Sequence, residues 1–484
     1  MSLVADSPPN SSSSDDFANL LAAELDSISS EASPEIEVED GYELGADSLE
    51  VTSPDVEDDH DYESERVKRR KVEDMEVMDK TIETSTSNKC LHPVVIKDIC
   101  VVCGEHMEDV SGVALGYIHK DLRLSKDELD RVRNLDKKNS MRNKKLYLVL
   151  DLDHTLLNST RFRDMTEDEA YLKTNADTLK VVEHDKGFGV QGFRLSDMVH
   201  SVQMGSLFRL EYMQMFTKLR PFVHTFLKEA NKMFEMYIYT MGEPLYAAEM
   251  SRLLDPGGVY FSSRVISQVD CTQKHQKGLD IVLGQESAVI ILDDTENVWQ
   301  RHRENLILME RYHYFASSCQ QFGFNCKSLS ELKSDESEPD GALATILNVL
   351  KQVYSMYFGM DPGDTLGDRD VRKILKSIRK EILKGFKIVF SRVFPNKFPP
   401  QSHQLWKMAE QLGATCATEV DESVTHVVAM DTGTEKSKWA VKQKKFLVHP
   451  GWLEATNYFW RRQTEENFPV SQLKNQESSS APRS

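Results

Sequence analysis

The sequence predicts an α/β protein. An open parallel sheet with helices on both faces is expected, followed by a smaller α/β unit and preceded by an acidic N-terminal tail. Three observations carry this reading. Largely apolar runs recur at 146–150, 234–239 and 288–292, as buried strands of a parallel sheet require. Each run stops at oxygen-bearing side chains: Asp151 and Asp153, then Thr240, then Asp293 and Asp294. Residues 1–65 hold twenty Asp and Glu and no Lys or Arg, a composition that cannot bury a core.

That tail accounts for the whole formal charge of −19, so the remaining chain is nearly neutral. No nucleic-acid-binding surface is expected from it. Seven cysteines, odd in number and sparse, argue for a reducing compartment and against a disulfide framework. No secretory leader is expected, since the first residues lack a basic region followed by an apolar one. No apolar run approaches the ~18 residues of a membrane span.

Along the chain, residues 1–85 are expected to be a disordered acidic tail. Within it Phe17, Leu20, Leu21, Leu25 and Ile28 recur at helical spacing, as in a helix that folds on a partner protein, or one that forms only transiently. A five-charge basic cluster at 66–71 resembles a nuclear import signal. A Cys/His segment and helical lead-in occupy 90–141, beginning with Cys90 and His92, then Cys100 and Cys103. Those four offer soft ligands for a structural Zn²⁺; the other reading is a knuckle of reduced thiols. The α/β pattern covers 142–326, with a long insertion at 158–218 read as a cap beside the substrate groove. Pro244 opens a helix over 244–254. An acidic linker follows at 327–342, then a helical connector at 343–383 with a turn at 361–368. The second α/β unit spans 384–470, and 471–484 is a disordered tail.

In an open parallel sheet, ligands bind beyond the carboxyl ends of the strands. Asp151 and Asp153 project together from an extended segment while Leu152 packs inward. One carboxylate can attack phosphorus, and the other can protonate the leaving oxygen and then activate water. A phosphate dianion would be repelled without a hard cation, which points to Mg²⁺. Asp151, Asp294 and the backbone carbonyl of Asp153 are its expected ligands, with Asp293 binding directly or through water. Thr240 offers a hydroxyl to a phosphoryl oxygen. Lys277 is the favoured cation beside it and Lys274 its rival.

The segments Asp151-Leu152-Asp153-His154-Thr155, Lys218-Leu219-Arg220-Pro221, Tyr239-Thr240-Met241-Gly242 and Asp293-Asp294-Thr295-Glu296-Asn297-Val298-Trp299 resemble one family in order. That family is the FCP-type RNA polymerase II C-terminal-domain phosphatases, within the haloacid-dehalogenase-like superfamily. The resemblance spans about 90–326. It implies a haloacid-dehalogenase-like sheet, nucleophile Asp151, acid/base Asp153, and phosphate binding by Thr240 and Lys277 with Arg220 and Thr155. It also implies metal ligands among Asp151, Asp153, Asp293 and Asp294. Thr295 stands where many animal and fungal members have arginine, which resembles the plant branch.

In the second unit, Gly413, the run Thr425-His426-Val427-Val428 and Trp452 resemble a BRCT domain. Trp452 is expected to anchor its core. Some BRCT domains hold a phosphopeptide by a hydroxyl after the first strand and a lysine on a later helix. Ser391 and Lys438 match those places, although Arg392 replaces the usual glycine. The other reading is a scaffold without a phosphate pocket.

The resemblance implies a nuclear, Mg²⁺-dependent protein serine/threonine phosphatase. Its substrate would be the heptad tail of RNA polymerase II, with other transcription proteins met through the BRCT domain and the acidic segment. Two other readings stand beside it: a catalytically silent nuclear phosphopeptide-binding scaffold, and a small-molecule phosphatase.

Overall fold

The computed structural model describes residues 90–108, 111–174, 179–181, 206–324, 326–359, 369–395 and 397–470. The expected disordered tails, the helix at 16–29, the basic cluster at 66–71 and the turn at 361–368 lie outside these residues.

A small antiparallel sheet comes first. Its strands are β1 (Val94–Ile96), β2 (Ile99–Cys100), β3 (Val113–Ala114) and β4 (Leu122–Leu124), in the order β2-β1-β4-β3. The helix Lys126–Asn143 follows, capped by the Ser125 side chain on the Glu128 N–H and stopped by Lys144 in the left-handed conformation.

The chain then enters β5 (Leu146–Leu150), whose five residues are all buried. β6 (Leu157–Arg161), β7 (Leu179–Val181), β8 (Leu207–Leu210) and β9 (Met215–Leu219) form a second sheet, ordered β6-β9-β8-β7. These strands belong to the expected insertion, with short helical turns between Phe162 and Thr174. β6 leaves the Asp151–Asp153 loop, and β9 runs back to Arg220, so the insertion's sheet is rooted in the catalytic loop.

The main sheet is completed by β10 (Phe234–Tyr239), β11 (Val265–Ile266), β12 (Val289–Asp293) and β13 (Leu306–Leu308). Its order is β11-β10-β5-β12-β13, all parallel. Leu148 lies opposite Met236 on one side and Ile290 on the other. The chain fills one side of β5 and then crosses to the other. The strand order therefore reverses at β5, which opens a crevice at its carboxyl end. The third strand runs one residue later than the apolar run predicted, because the Asp293 carbonyl accepts from the Met309 N–H at 2.9 Å and continues the ladder. The helix Pro244–Leu254 begins at its proline as expected.

Two regions differ from the sequence reading. The acidic stretch at 327–342 is not a free linker. Ser328 and Ser330 are buried, Asp335 pairs with Lys218 at 2.8 Å, and Glu336 pairs with the fully buried Arg220 at 2.7 Å. Its carboxylates supply the countercharge for these two buried cations. The helices Ala342–Phe358 and Val371–Ile382 are more than a connector. Ile346, Leu350, Val353, Ile374 and Ile378 belong to the same apolar core as β5, β10 and β12.

The second unit is a parallel sheet of β14 (Lys387–Ser391), β15 (Thr415–Ala417), β16 (His426–Ala429) and β17 (Phe446–Val448), ordered β15-β14-β16-β17. Helices Gln404–Gln411, Glu435–Lys442 and Gly451–Phe459 cover it. Trp452 is fully buried, stacks on His426 at 4.8 Å and donates its indole N–H to the Gln463 carbonyl, as a core anchor does. Trp460, just beyond the last helix, joins the core of the main sheet. From His92 onward the described residues form one compact unit. Among them no helix is long and apolar enough to cross a membrane.

Candidate active site

The loop after β5 is wound tightly by one carbonyl. The Leu152 oxygen accepts from the N–H groups of Thr155, Leu156 and Leu157. His154 takes a positive φ of 62° to make this turn. Leu152 is driven into the core, while Asp151 and Asp153 face the crevice, as the alternation of an extended segment predicts.

Lys277 joins the strand ends. Its Nζ lies 2.6 Å from Asp151 Oδ1 and 2.7 Å from Asp293 Oδ2. It is 5% exposed and sits 5.8 Å from the ring centres of both Tyr239 and Trp299. Burial opposes its charge, but Asp151 and Asp293 outweigh that and hold the ammonium well above the ordinary lysine range. The expectation for Lys277 over Lys274 thus rests on a direct ion pair with the expected nucleophile. Asp151 Oδ2 accepts from the Thr155 hydroxyl at 3.0 Å.

Asp293 is saturated. Its oxygens take the Thr295 N–H at 2.8 Å, the Trp299 indole N–H at 2.8 Å and Lys277. Asp294 faces Arg311, with Nε 2.5 Å from Oδ2. Burial pushes Asp294 up, but Arg311 outweighs it and leaves this carboxyl below the ordinary carboxylate range. The Tyr246 hydroxyl donates to Asp153 Oδ1 at 2.5 Å. Burial raises the Asp153 carboxyl, and Tyr246 offsets only part of that effect. Burial raises Asp151 as well, with Asp293 adding to it.

Thr240 ends β10 and its hydroxyl accepts from the Gly242 N–H at 2.9 Å, which leaves the hydroxyl proton to donate. A Cβ on Gly242 would lie 2.7 Å from the Tyr246 ring, so only glycine lets the turn pass beside that tyrosine. Arg220 departs from the expectation of a phosphate contact. Its guanidinium donates to the Thr155 carbonyl at 3.0 Å and clasps Glu336 through Nε at 3.0 Å and Nη2 at 2.7 Å. It braces the catalytic loop from behind.

Sequence reasoning missed Tyr246, Trp299 as an Asp293 partner, Arg311 and Glu336. Tyr246 could have been found two residues past the helix-opening Pro244. Arg311 carried no signal, lying seventeen residues from Asp294 on the irregular segment after β13.

The residues fit Mg²⁺ on their own chemistry. Asp151, Asp153, Asp293 and Asp294 face two close cationic partners, Lys277 and Arg311. Oxygen atoms of Asp151, Asp293 and Asp294 lie within 4.8 Å of one another. A hard dication matches both the donor set and the excess negative charge.

The carboxyl edge of the second sheet is different. The Ser391 hydroxyl pairs with Thr434 Oγ1 at 2.7 Å, and Thr434 pairs with Ser437 at 2.7 Å. Arg392 adopts φ 55°, the conformation for which glycine is usual, and reaches Asp431 at 3.3 Å. Lys438 is exposed on the helix that Thr434 caps. At the start of the described chain, ligand atoms of Cys90, His92, Cys100 and Cys103 also lie within 4.8 Å of one another.

Residues 146–332 match the NLI interacting factor-like phosphatase family, and residues 379–456 match the BRCA1 C Terminus (BRCT) domain. The chain is 55% identical over 478 residues to RNA polymerase II C-terminal domain phosphatase-like 4 of Arabidopsis thaliana, covering 98% of this chain and 99% of that protein. The chain belongs to the RNA polymerase II C-terminal domain phosphatase family. Phosphatase-like 3 of the same plant is 41% identical over 376 residues, which span 75% of this chain and 28% of that protein. The fold is shared with the solved structure of Fcp1, an essential RNA polymerase II CTD phosphatase, at 22% identity and a TM-score of 0.53, over 70% of this chain and 100% of that one. Membership in this phosphatase family implies Mg²⁺. The haloacid-dehalogenase-like sheet and the BRCT unit read from the sequence are both present.

Proposed function

We propose that this protein is a Mg²⁺-dependent serine/threonine phosphatase that clears phosphate from the heptad tail of RNA polymerase II through an aspartyl-phosphate on Asp151. The observation that carries this reading is the Lys277 ammonium held between Asp151 and Asp293 at the carboxyl edge of the main sheet.

Lys277 and Thr155 orient the Asp151 carboxylate. One of its oxygens bonds to phosphorus as the bond to the serine or threonine oxygen breaks. Asp153, raised by burial and held by Tyr246, gives its proton to that leaving oxygen. It then takes a proton from the water that attacks phosphorus. Phosphate leaves and the Asp151 carboxylate is restored. Thr240 donates its hydroxyl to a phosphoryl oxygen. Asp151, Asp294 and the Asp153 carbonyl would hold the metal, because Asp293 is engaged with Thr295, Trp299 and Lys277. When bound, Mg²⁺ supplies the positive charge that lets a phosphate dianion approach these carboxylates.

The rest of the reading concerns delivery. The cluster at 66–71 directs nuclear import, and the acidic segment containing residues 16–29 meets other transcription proteins. The BRCT unit docks a phosphorylated partner at Ser391, Thr434 and Lys438. Phosphate release from singly phosphorylated heptad peptides, set beside an aryl phosphate and a sugar phosphate, tests the reading. Release from the peptides is the expected result. Peptide binding without release would favour the silent scaffold, and preference for the sugar phosphate would favour the small-molecule enzyme.

A further inference from the structure

The N-terminal sheet is built from strands of two and three residues, too short to hold a core by themselves. Something must fix its hairpin. Cys100 ends β2 and is fully buried, while the tip that follows, Val101 and Val102, is exposed. The Cys100 carbonyl accepts from the Gly104 N–H at 2.8 Å, and Gly104 takes φ 76°, so the segment closes into a tight knuckle. Inside it the backbone N–H groups of Cys103 and Val102 face the Cys100 sulfur, an arrangement that suits a metal-bound sulfur.

Only one residue separates Cys90 from His92, and His92 adopts φ 46°, with its ring toward the thiols. Its Nδ1 lies 3.4 Å from Cys103 Sγ. Its other nitrogen, Nε2, faces the Glu105 carboxylate at 3.6 Å. A carboxylate behind the far ring nitrogen is the usual support of a metal-bound histidine. All four ligand atoms fall within 4.8 Å of one another. The edges of a tetrahedral zinc site are about 3.5 to 3.8 Å given its ligand bond lengths, so a slight contraction closes the site.

We propose that Cys90, His92, Cys100 and Cys103 bind one zinc ion as a closed structural site that pins the N-terminal sheet to the catalytic body. Three thiolates and an imidazole are a soft set, which excludes the Mg²⁺ of the aspartate edge. The site is tied into the fold at two points. The Ser125 N–H, at the cap of the Lys126–Asn143 helix, donates to the Pro93 carbonyl at 2.9 Å, and the Tyr117 hydroxyl donates to the Ile281 carbonyl at 2.8 Å.

Elemental analysis of the full chain, purified without chelator, tests the proposal. One zinc per chain is expected, retained in Asp294→Asn and lost in Cys100→Ser and Cys103→Ser. Exchange for Co²⁺ in the wild-type chain should give a thiolate-to-cobalt charge-transfer band and intense tetrahedral visible bands; this reading does not depend on the variants folding. No zinc above background together with no such band overturns the proposal. So does zinc that survives Cys100→Ser and disappears in Asp294→Asn, because that ion would belong to the aspartate edge. None of these readouts involves phosphatase activity, so the zinc proposal and the proposed function stand or fall separately.

Discussion

The two parallel sheets present the same kind of edge to solvent and do opposite things with charge. At the carboxyl ends of β5, β10 and β12, the buried Asp151 and Asp293 and the half-buried Asp153 and Asp294 are answered by two close cations, Lys277 and Arg311. At the ends of β14 and β16, Ser391 pairs with Thr434, and the buried Asp431 is met by Arg392 and the Gly433 N–H. The second edge is balanced and rests. The first carries an excess of carboxylates over cations, which a hard dication would balance. Strand-end hydroxyls and carboxylates do not make an active site by themselves; uncompensated charge in a dry crevice does.

The sharpest way to break this contrast is Asp151→Asn, which should abolish measurable turnover with the circular dichroism spectrum unchanged. Turnover within tenfold of wild type would remove Asp151 from the nucleophile's role. Asp153→Asn should cost about 10²–10⁴ in rate on peptide substrates. The loss should shrink on an aryl phosphate, whose leaving group needs little protonation, and an equal loss on both would contradict the assignment.

Tyr246→Phe should cost less and move a pH limb. The hydroxyl now lowers the Asp153 carboxyl, so its removal raises that carboxyl further. The limb of the kcat profile that reports Asp153 should shift to higher pH, whereas a simple structural loss would lower the rate at every pH. Lys438→Ala should leave the aryl phosphate rate unchanged and weaken a long phosphorylated tail through a raised KM. Unaltered KM on the tail would deny phosphate reading at the balanced edge.

The smallest effect concerns stability. Burial, with His154 and Arg311 adding to it, holds His313 down at about 3. The unfolded chain, with its histidine near 6.5, takes up the proton first on acidification. Stability from this residue is therefore complete above that value and is lost as pH falls toward 3. Melting curves between neutral and acid pH should fall less steeply for His313→Gln, and parallel curves would contradict it.

The sequence made the main sheet legible because its three core strands are largely apolar and end on oxygen-bearing side chains. Trp452 was legible through the resemblance of its surroundings to a BRCT domain. What stayed hidden depends on partners far apart in the chain. Nothing near Arg311 marks it as the cation for Asp294, and nothing in 327–342 says that Asp335 and Glu336 will lie on Lys218 and Arg220. Arg220 shows the limit of a motif. Its position was right, but its donors face Thr155 and Glu336. The strand β15 was missed because it is short and mixed in polarity.

The central claim is that surplus negative charge at the aspartate edge makes the protein depend on a hard dication. Calorimetric titration of the metal-stripped full chain with Mg²⁺, paired with phosphate release from a heptad phosphopeptide, tests it most directly. The account predicts Mg²⁺ binding that Asp294→Asn weakens and Ser391→Ala leaves alone, with turnover absent after chelation and restored by Mg²⁺. Full turnover in the rigorously chelated protein, or Mg²⁺ binding indifferent to Asp294→Asn, would contradict it.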